Sequence, residues 1–212
     1  MRKGQRRNEV KMLNIPSRDE AEALVIWAEK QNPGNWVAHS RMAAAAAEKI
    51  AKEAGLNSEK AYILGLLHDI GRFEGVRGLH HTIAGYELMM EKGFDACARI
   101  CLTHSFPIKV LEAFSGKKDC TDEEQAFIRD FLEKTEYDDY DRLMQLCDAI
   151  ALPEGITLMD SRLMDVGLRH GFNELTLPKW RAFYEIKKMF DEKCGCNLYK
   201  LLQPEIEKTI FA

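Results

Sequence analysis

The chain lacks a stretch of about 18 consecutive apolar residues, the length a membrane-spanning helix requires. Its opening, MRKGQRRNEVK, has basic residues with no apolar run behind them, so it does not have the form of a secretory signal. No window alternates polar and apolar residues long enough to make a strand, no heptad is sustained, and there is no internal repeat or low-complexity tract. Net charge is nearly absent: 30 Lys and Arg against 34 Asp and Glu leave −4, which argues against a general nucleic-acid binder. A small anionic substrate would then depend on local positive charge from a metal or a few Arg and Lys. Paired cysteines are scarce as well. Of the six Cys only Cys194-Gly-Cys196 lie close together, and with no second pair to complete a metal site they read as a loop. With no secretory signal, the six thiols are expected to be free in a reducing compartment, the cytoplasm.

What is present is an ordinary globular composition, 46% hydrophobic and 30% charged, at a length that supports one core or one domain with an appendage. Residues 1–15 read as a flexible basic N-terminal extension, 16–151 as the main helical domain, and 152–212 as a C-terminal helical extension packed on it. Ser17 with Glu20 forms a capping box, and Thr121 with Glu124 forms another. The pattern predicts helices from Ser17 to Gln31, Trp36 to Ala54, and Ser58 into the stretch at residue 68. A Gly-containing loop at 71–79 is followed by helices at 81–92, 94–104, 121–134, 138–151, 158–170, 178–192 and 198–210. The fold class is all-α, an orthogonal helical bundle with additional C-terminal helices.

The helices are organised around Leu66-Leu67-His68-Asp69-Ile70-Gly71-Arg72. An apolar run delivers an adjacent imidazole and carboxylate. Burying such a pair alone is costly, and a metal ion is a natural partner. Five of the six His fall between residues 39 and 104, and Asp148 sits in an apolar helix face between Cys147 and Ala149. The order is His39, His68-Asp69, His80-His81, His104, Asp148. Mixed imidazole and carboxylate ligands suit iron, manganese, cobalt, nickel or zinc; magnesium alone does not call for so many imidazoles. Six ligands exceed the needs of one catalytic ion that keeps positions open. Two divalent transition-metal ions about 3.5–4 Å apart are therefore expected, with the centrally placed Asp69 as bridge.

This ordered set resembles the signature of the HD-domain superfamily of metal-dependent phosphohydrolases, over about residues 20–151, and His68-Asp69-Ile70-Gly71 matches its HDIG form. His39, His68, Asp69 and Asp148 fall on the four HD positions. His81, followed by Thr-Ile-Ala-Gly85, and His104 resemble the extra ligands of a two-metal subgroup, which includes the diadenosine-tetraphosphate hydrolase branch and, more distantly, the HD-GYP cyclic-dinucleotide phosphodiesterases. His81 is favoured over His80 for the first extra position, which leaves His80 as a neighbour that contacts substrate. No Gly-Tyr-Pro follows, the loop from HD to His is short and the C-terminal tail is long, so the substrate is left open by the resemblance.

The resemblance implies hydrolysis of a phosphate ester or anhydride, a nucleotide by class, by metal-activated water. Asp69 and Arg72 are the catalytic residues, and Arg72 is placed to clamp phosphate bidentately. Arg77, Lys109 and Arg142 are weaker candidates for that task. Alternatives are a mixed-valent di-iron oxygenase on the same ligands and a non-catalytic regulatory HD module. The expected partner is a small phosphorylated substrate, with no membrane and no specific nucleic acid. Several residues have a plainer reading: His170 caps a helix end, Glu136, Asp138, Asp139 and Asp141 form a solvated helix N-terminus, and Trp27, Trp36 and Trp180 pack helices.

Overall fold

The computed structural model describes residues 14–211. Most of the expected basic extension lies outside that range. Helix α1 (Arg18–Gln31) starts on the Ser17–Glu20 capping box, in which Glu20 Oε2 accepts from the Ser17 backbone N–H at 2.8 Å. Helix α2 (Asn35–Glu53) begins where Trp36 Nε1 donates to the carbonyl of Asn32 at 2.8 Å. Helix α3 (Ser58–Leu67) has Asn57 as its N-cap. The alanine run of α2 lets α3 come very close: a Cβ on Gly65 would lie 2.7 Å from Ala44 Cα.

The expected loop after His68 is tighter than a loop, because residues Ile70–Glu74 form a 3₁₀ turn. Helices α4 (His80–Glu91), α5 (Asp95–Thr103) and α6 (Asp122–Lys134) follow, and α6 starts on the Thr121–Glu124 capping box. Helix α7 (Asp139–Asp148) leads into the final segments: a hairpin of β1 (Ala151–Leu152) and β2 (Gly155–Ile156), α8 (Met159–His170), α9 (Thr176–Cys194), α10 (Leu198–Leu201) and α11 (Gln203–Ile210). The fold is all-α apart from this two-residue antiparallel pair, which is too short to leave an alternating pattern in the sequence. The single helix expected at 198–210 is broken at Leu202. Pro204 has no N–H to continue α10, and it is accommodated in the first turn of α11.

One buried cluster runs through α1, α2, α3, α5 and α7 and takes in Phe183, Ile186 and Phe190 of α9. A second joins Leu79, Ile83, Leu102, Phe106, Leu111, Ile128 and Leu132. Each large apolar side chain buried there contributes about 1.5–3 kcal/mol, which holds α6 across α4 and α5. One expectation changes. Asp141 is not part of a solvated helix start: it is fully buried, with Arg99 Nε at 3.1 Å and Thr103 Oγ at 2.7 Å. Trp27 packs helices from a partly exposed position: it is 39% exposed, and its ring lies tilted against Phe73 with centroids 5.1 Å apart, which ties α1 to the 3₁₀ turn. All six Cys are free, and among the described residues no helix is long and apolar enough to cross a membrane.

Candidate metal centre

Four histidines converge from four segments. His39 comes from α2, His68 caps the end of α3, His81 lies in the first turn of α4, and His104 caps the end of α5. All four are buried, as is Asp69. In each ring Nδ1 meets a backbone carbonyl: His39 with Ala151 at 3.2 Å, His68 with Gly65 at 2.7 Å, His104 with Ile100 at 3.1 Å, and His81 with Gly78. A carbonyl only accepts, so the Nδ1 atoms must donate, and a neutral ring then presents its Nε2 lone pair. Backbone carbonyls commonly orient metal-binding imidazoles in this way.

The Nε2 atoms point to a common region. His39 Nε2 lies 3.0 Å from Asp148 Oδ1, and His68 Nε2 lies 3.7 Å from the same oxygen and 3.9 Å from Asp69 Oδ2. His81 Nε2 is 3.0 Å from Asp69 Oδ1 and 3.4 Å from His104 Nε2, which is itself 3.6 Å from Asp69 Oδ1. Two trios result, His39–His68–Asp69 and Asp69–His81–His104, each with its donor atoms within 4.8 Å of one another. Asp69 belongs to both.

Two buried atoms in this cluster have no hydrogen-bond partner, His68 Nε2 and Asp69 Oδ1. Asp69 Oδ1 is only 3.0 Å from His81 Nε2, yet the approach lacks hydrogen-bond geometry. Two lone-pair atoms that crowd a point without bonding each other fit a shared cation. Left alone, each orphan costs about 1–3 kcal/mol. The residues present therefore fit a divalent metal ion.

The electrostatics of the two carboxylates and of His104 agree, whereas His68 is drawn towards its protonated form. Burial opposes ionisation of Asp69, but Arg72, His68 and His81 outweigh it and hold the carboxyl well below the usual range. Burial likewise opposes the charge on Asp148, and His39 and His68 reverse it. Burial, then the charge of His68, pushes His104 down to about 3, which keeps its ring neutral. Burial lowers His68 as well, but Asp69 and Asp148 prevail and its value is raised. Arg72 donates from Nε to Asp69 Oδ2 at 2.5 Å. It lines, with Asp148, a cavity of about 630 Å³ whose far wall is built by α8 and α9.

His80 is not in the convergent group. Its ring lies between Glu74 (3.0 Å) and Glu124 (3.4 Å), beside Cys120, and it does not line the cavity. Arg142 is spent on the Pro107 carbonyl at 2.8 Å and on Gln145, and Lys109 lies over the Tyr137 ring; neither lines the cavity, whereas Arg77 does. Exposed His170 is on the rim. Lys117 and Lys179 also line the cavity and carried no signal in the sequence, since an isolated lysine is most often solvated.

The family model described as HD domain matches residues 36–152, more than half of the chain and a span that contains all six convergent residues. The chain belongs to the HD-domain family. HD domains bind divalent metal ions and form a superfamily of metal-dependent hydrolases. In this HD protein α8 to α11 lie beyond the matched span. Comparisons with curated proteins and with solved structures gave no match.

Proposed function

We propose that the protein is a metal-dependent phosphohydrolase acting on a phosphate ester or anhydride, with a nucleotide as the substrate class. The observation that carries this reading is the set of four Nε2 atoms and two Asp carboxylates, oriented by backbone carbonyls, with Arg72 beside them. His39, His68, Asp69 and Asp148 would hold one ion, and Asp69, His81 and His104 a second. Iron, manganese, cobalt, nickel and zinc all match these ligands. When bound, such ions supply an activated water at neutral pH and a Lewis-acid pull on phosphoryl oxygens.

The chain's own residues do the rest. Asp69 directs one oxygen to His81 and His104 and the other to His68 and Arg72. Arg72 is thereby fixed through Nε, which leaves guanidinium N–H groups at the cavity side for a phosphoryl oxygen. Charge that grows on that oxygen meets a preorganised cation, an effect worth about 10²–10³ in rate for a single donor. The free thiols accord with a cytoplasmic enzyme.

The test is metal analysis of the purified protein together with phosphatase assays on a nucleotide panel. Wild type should carry a transition metal and hydrolyse at least one member, while Asp69→Ala should lose both metal and activity. Full metal content in Asp69→Ala would sink the reading.

A further inference from the structure

Three cations line the cavity beside the candidate metal centre, and none is in an ion pair among the described residues. Arg77 follows the 3₁₀ turn, Lys117 lies in the segment before α6, and Lys179 lies in the first turns of α9. Their positions are set by backbone contacts. The Leu79 N–H donates to the Lys117 carbonyl at 2.8 Å, which sets Lys117 beside the segment that leads from Arg77 into α4. Lys179 Nζ donates to the Ala113 carbonyl at 3.1 Å and to Ser115 Oγ at 3.2 Å, both neutral groups.

The carboxylates that share this lining are already engaged. Asp148 faces His39, and the two oxygens of Asp119 accept the N–H groups of Gly78 (2.8 Å) and His80 (3.0 Å). Arg162 and Arg169, also in the lining, are both paired with Asp165 and are not counted. In a chain of net charge −4, three cations left unpaired around one concave surface make a local anion site. Burial lowers Lys179 to about 8, and Asp148 raises it against that, so the ammonium is still largely charged near neutral pH.

The same lining also carries apolar side chains. Leu163 and Val166 of α8 and Trp180 and Phe183 of α9 close the cavity. Its volume of about 630 Å³ lies within the range that takes a drug-sized ligand. A phosphate monoester engaged at Arg72 would leave the three cations unmatched. A chain of phosphoryl groups offers an anion to each of them, and Trp180 in the same lining offers an aromatic face to a planar group.

We infer that Arg77, Lys117 and Lys179 form a second anion subsite next to the metal centre, and that it selects a nucleoside di- or polyphosphate over a monophosphate. This rests on the phosphohydrolase reading for the identity of the reaction, though not for the binding. The lining draws on parts of the chain outside the metal ligands, and Lys179 and Trp180 lie beyond the span matched by the family model.

The experiment uses the full-length protein as purified with its metal. Calorimetry measures binding of a non-hydrolysable nucleoside triphosphate analogue and of the corresponding monophosphate to wild type, Arg77→Ala, Lys117→Ala and the double variant. Both side chains sit at the surface of the cavity, and circular dichroism with the melting temperature checks that the variants fold. Each single variant should weaken the triphosphate analogue about tenfold to a hundredfold, the scale of a lost charged hydrogen bond, with less than threefold change for the monophosphate. Equal weakening of the two ligands, or none for either, overturns the subsite. Selective loss of analogue binding in a protein that hydrolyses no phosphate compound refutes the phosphohydrolase reading and leaves the subsite standing.

Discussion

Gly71 packs against the backbone of His81. A Cβ built on Gly71 would lie 2.0 Å from the His81 carbonyl oxygen and 2.3 Å from the Gly85 nitrogen. The glycine that follows His-Asp-Ile thus sets how near the first turn of α4 comes to the end of α3. Through that contact it positions His81 against Asp69, 3.0 Å away.

Gly71→Ala should therefore push α4 outward. Overpacking of this kind costs about 1–3 kcal/mol, and at this chain length the melting temperature should fall by several degrees. Metal content should fall with it, because His81 moves relative to Asp69. An alanine variant with wild-type melting and full metal would show that α4 adapts without moving its histidine.

Arg99 and Asp141 fasten α5 to α7, and so His104 to Asp148. Arg99→Met leaves a fully buried carboxylate with only Thr103 and the Asp138 N–H as donors. Breaking a buried pair on one side costs about 3–5 kcal/mol, and the two remaining donors bring the expectation to the lower part of that range. Arg129→Met, which removes an ion pair to Glu112 with both partners about half exposed, should change stability by less than about 1 kcal/mol. Urea unfolding of the two variants checks the contrast. Similar losses in both would mean that Asp141 relaxes towards solvent.

Lys179 gives a pH signature. Its folded value is lowered to about 8, whereas an unfolded lysine titrates near 10.4. Between these values the unfolded chain holds more protons, so this residue's contribution makes the protein more stable as pH rises. Below about 8 both states are protonated and the burial penalty of the ammonium is present in full. The difference in stability between wild type and Lys179→Met should shift in favour of wild type from pH 7.5 to pH 9.5. Denaturant midpoints of both proteins at the two pH values measure it, and a difference that does not move with pH would show that the folded ammonium is fully solvated.

The helices were legible because their ends are written locally. Ser17 with Glu20 and Thr121 with Glu124 cap as their spacing dictates, and each cap needs nothing beyond three residues. The hairpin at Ala151–Ile156 and the break at Leu202 were less so: two-residue strands carry no period, and a proline three residues past the end of a helix fits either a stop or a fresh start. Asp141 read as solvent-facing because its neighbours are acidic. Its burial depends on Arg99, which reaches it from 42 residues away.

By itself the sequence determined the helical class and the supply of candidate ligands, since residue type and order place His39, His68, Asp69, His81, His104 and Asp148 on or at the ends of helices. Only the tertiary structure decided which atoms face one another. The tautomer of His39 depends on a carbonyl at Ala151, 112 residues away, and the 3.0 Å approach of His81 to Asp69 depends on how Gly71 admits α4. The cationic cavity is likewise a product of the fold. Arg77 stood in the linear chain as a weaker phosphate candidate and Lys117 and Lys179 carried no signal; the three become a site only where three segments bring unpaired charge to one surface beside Arg72.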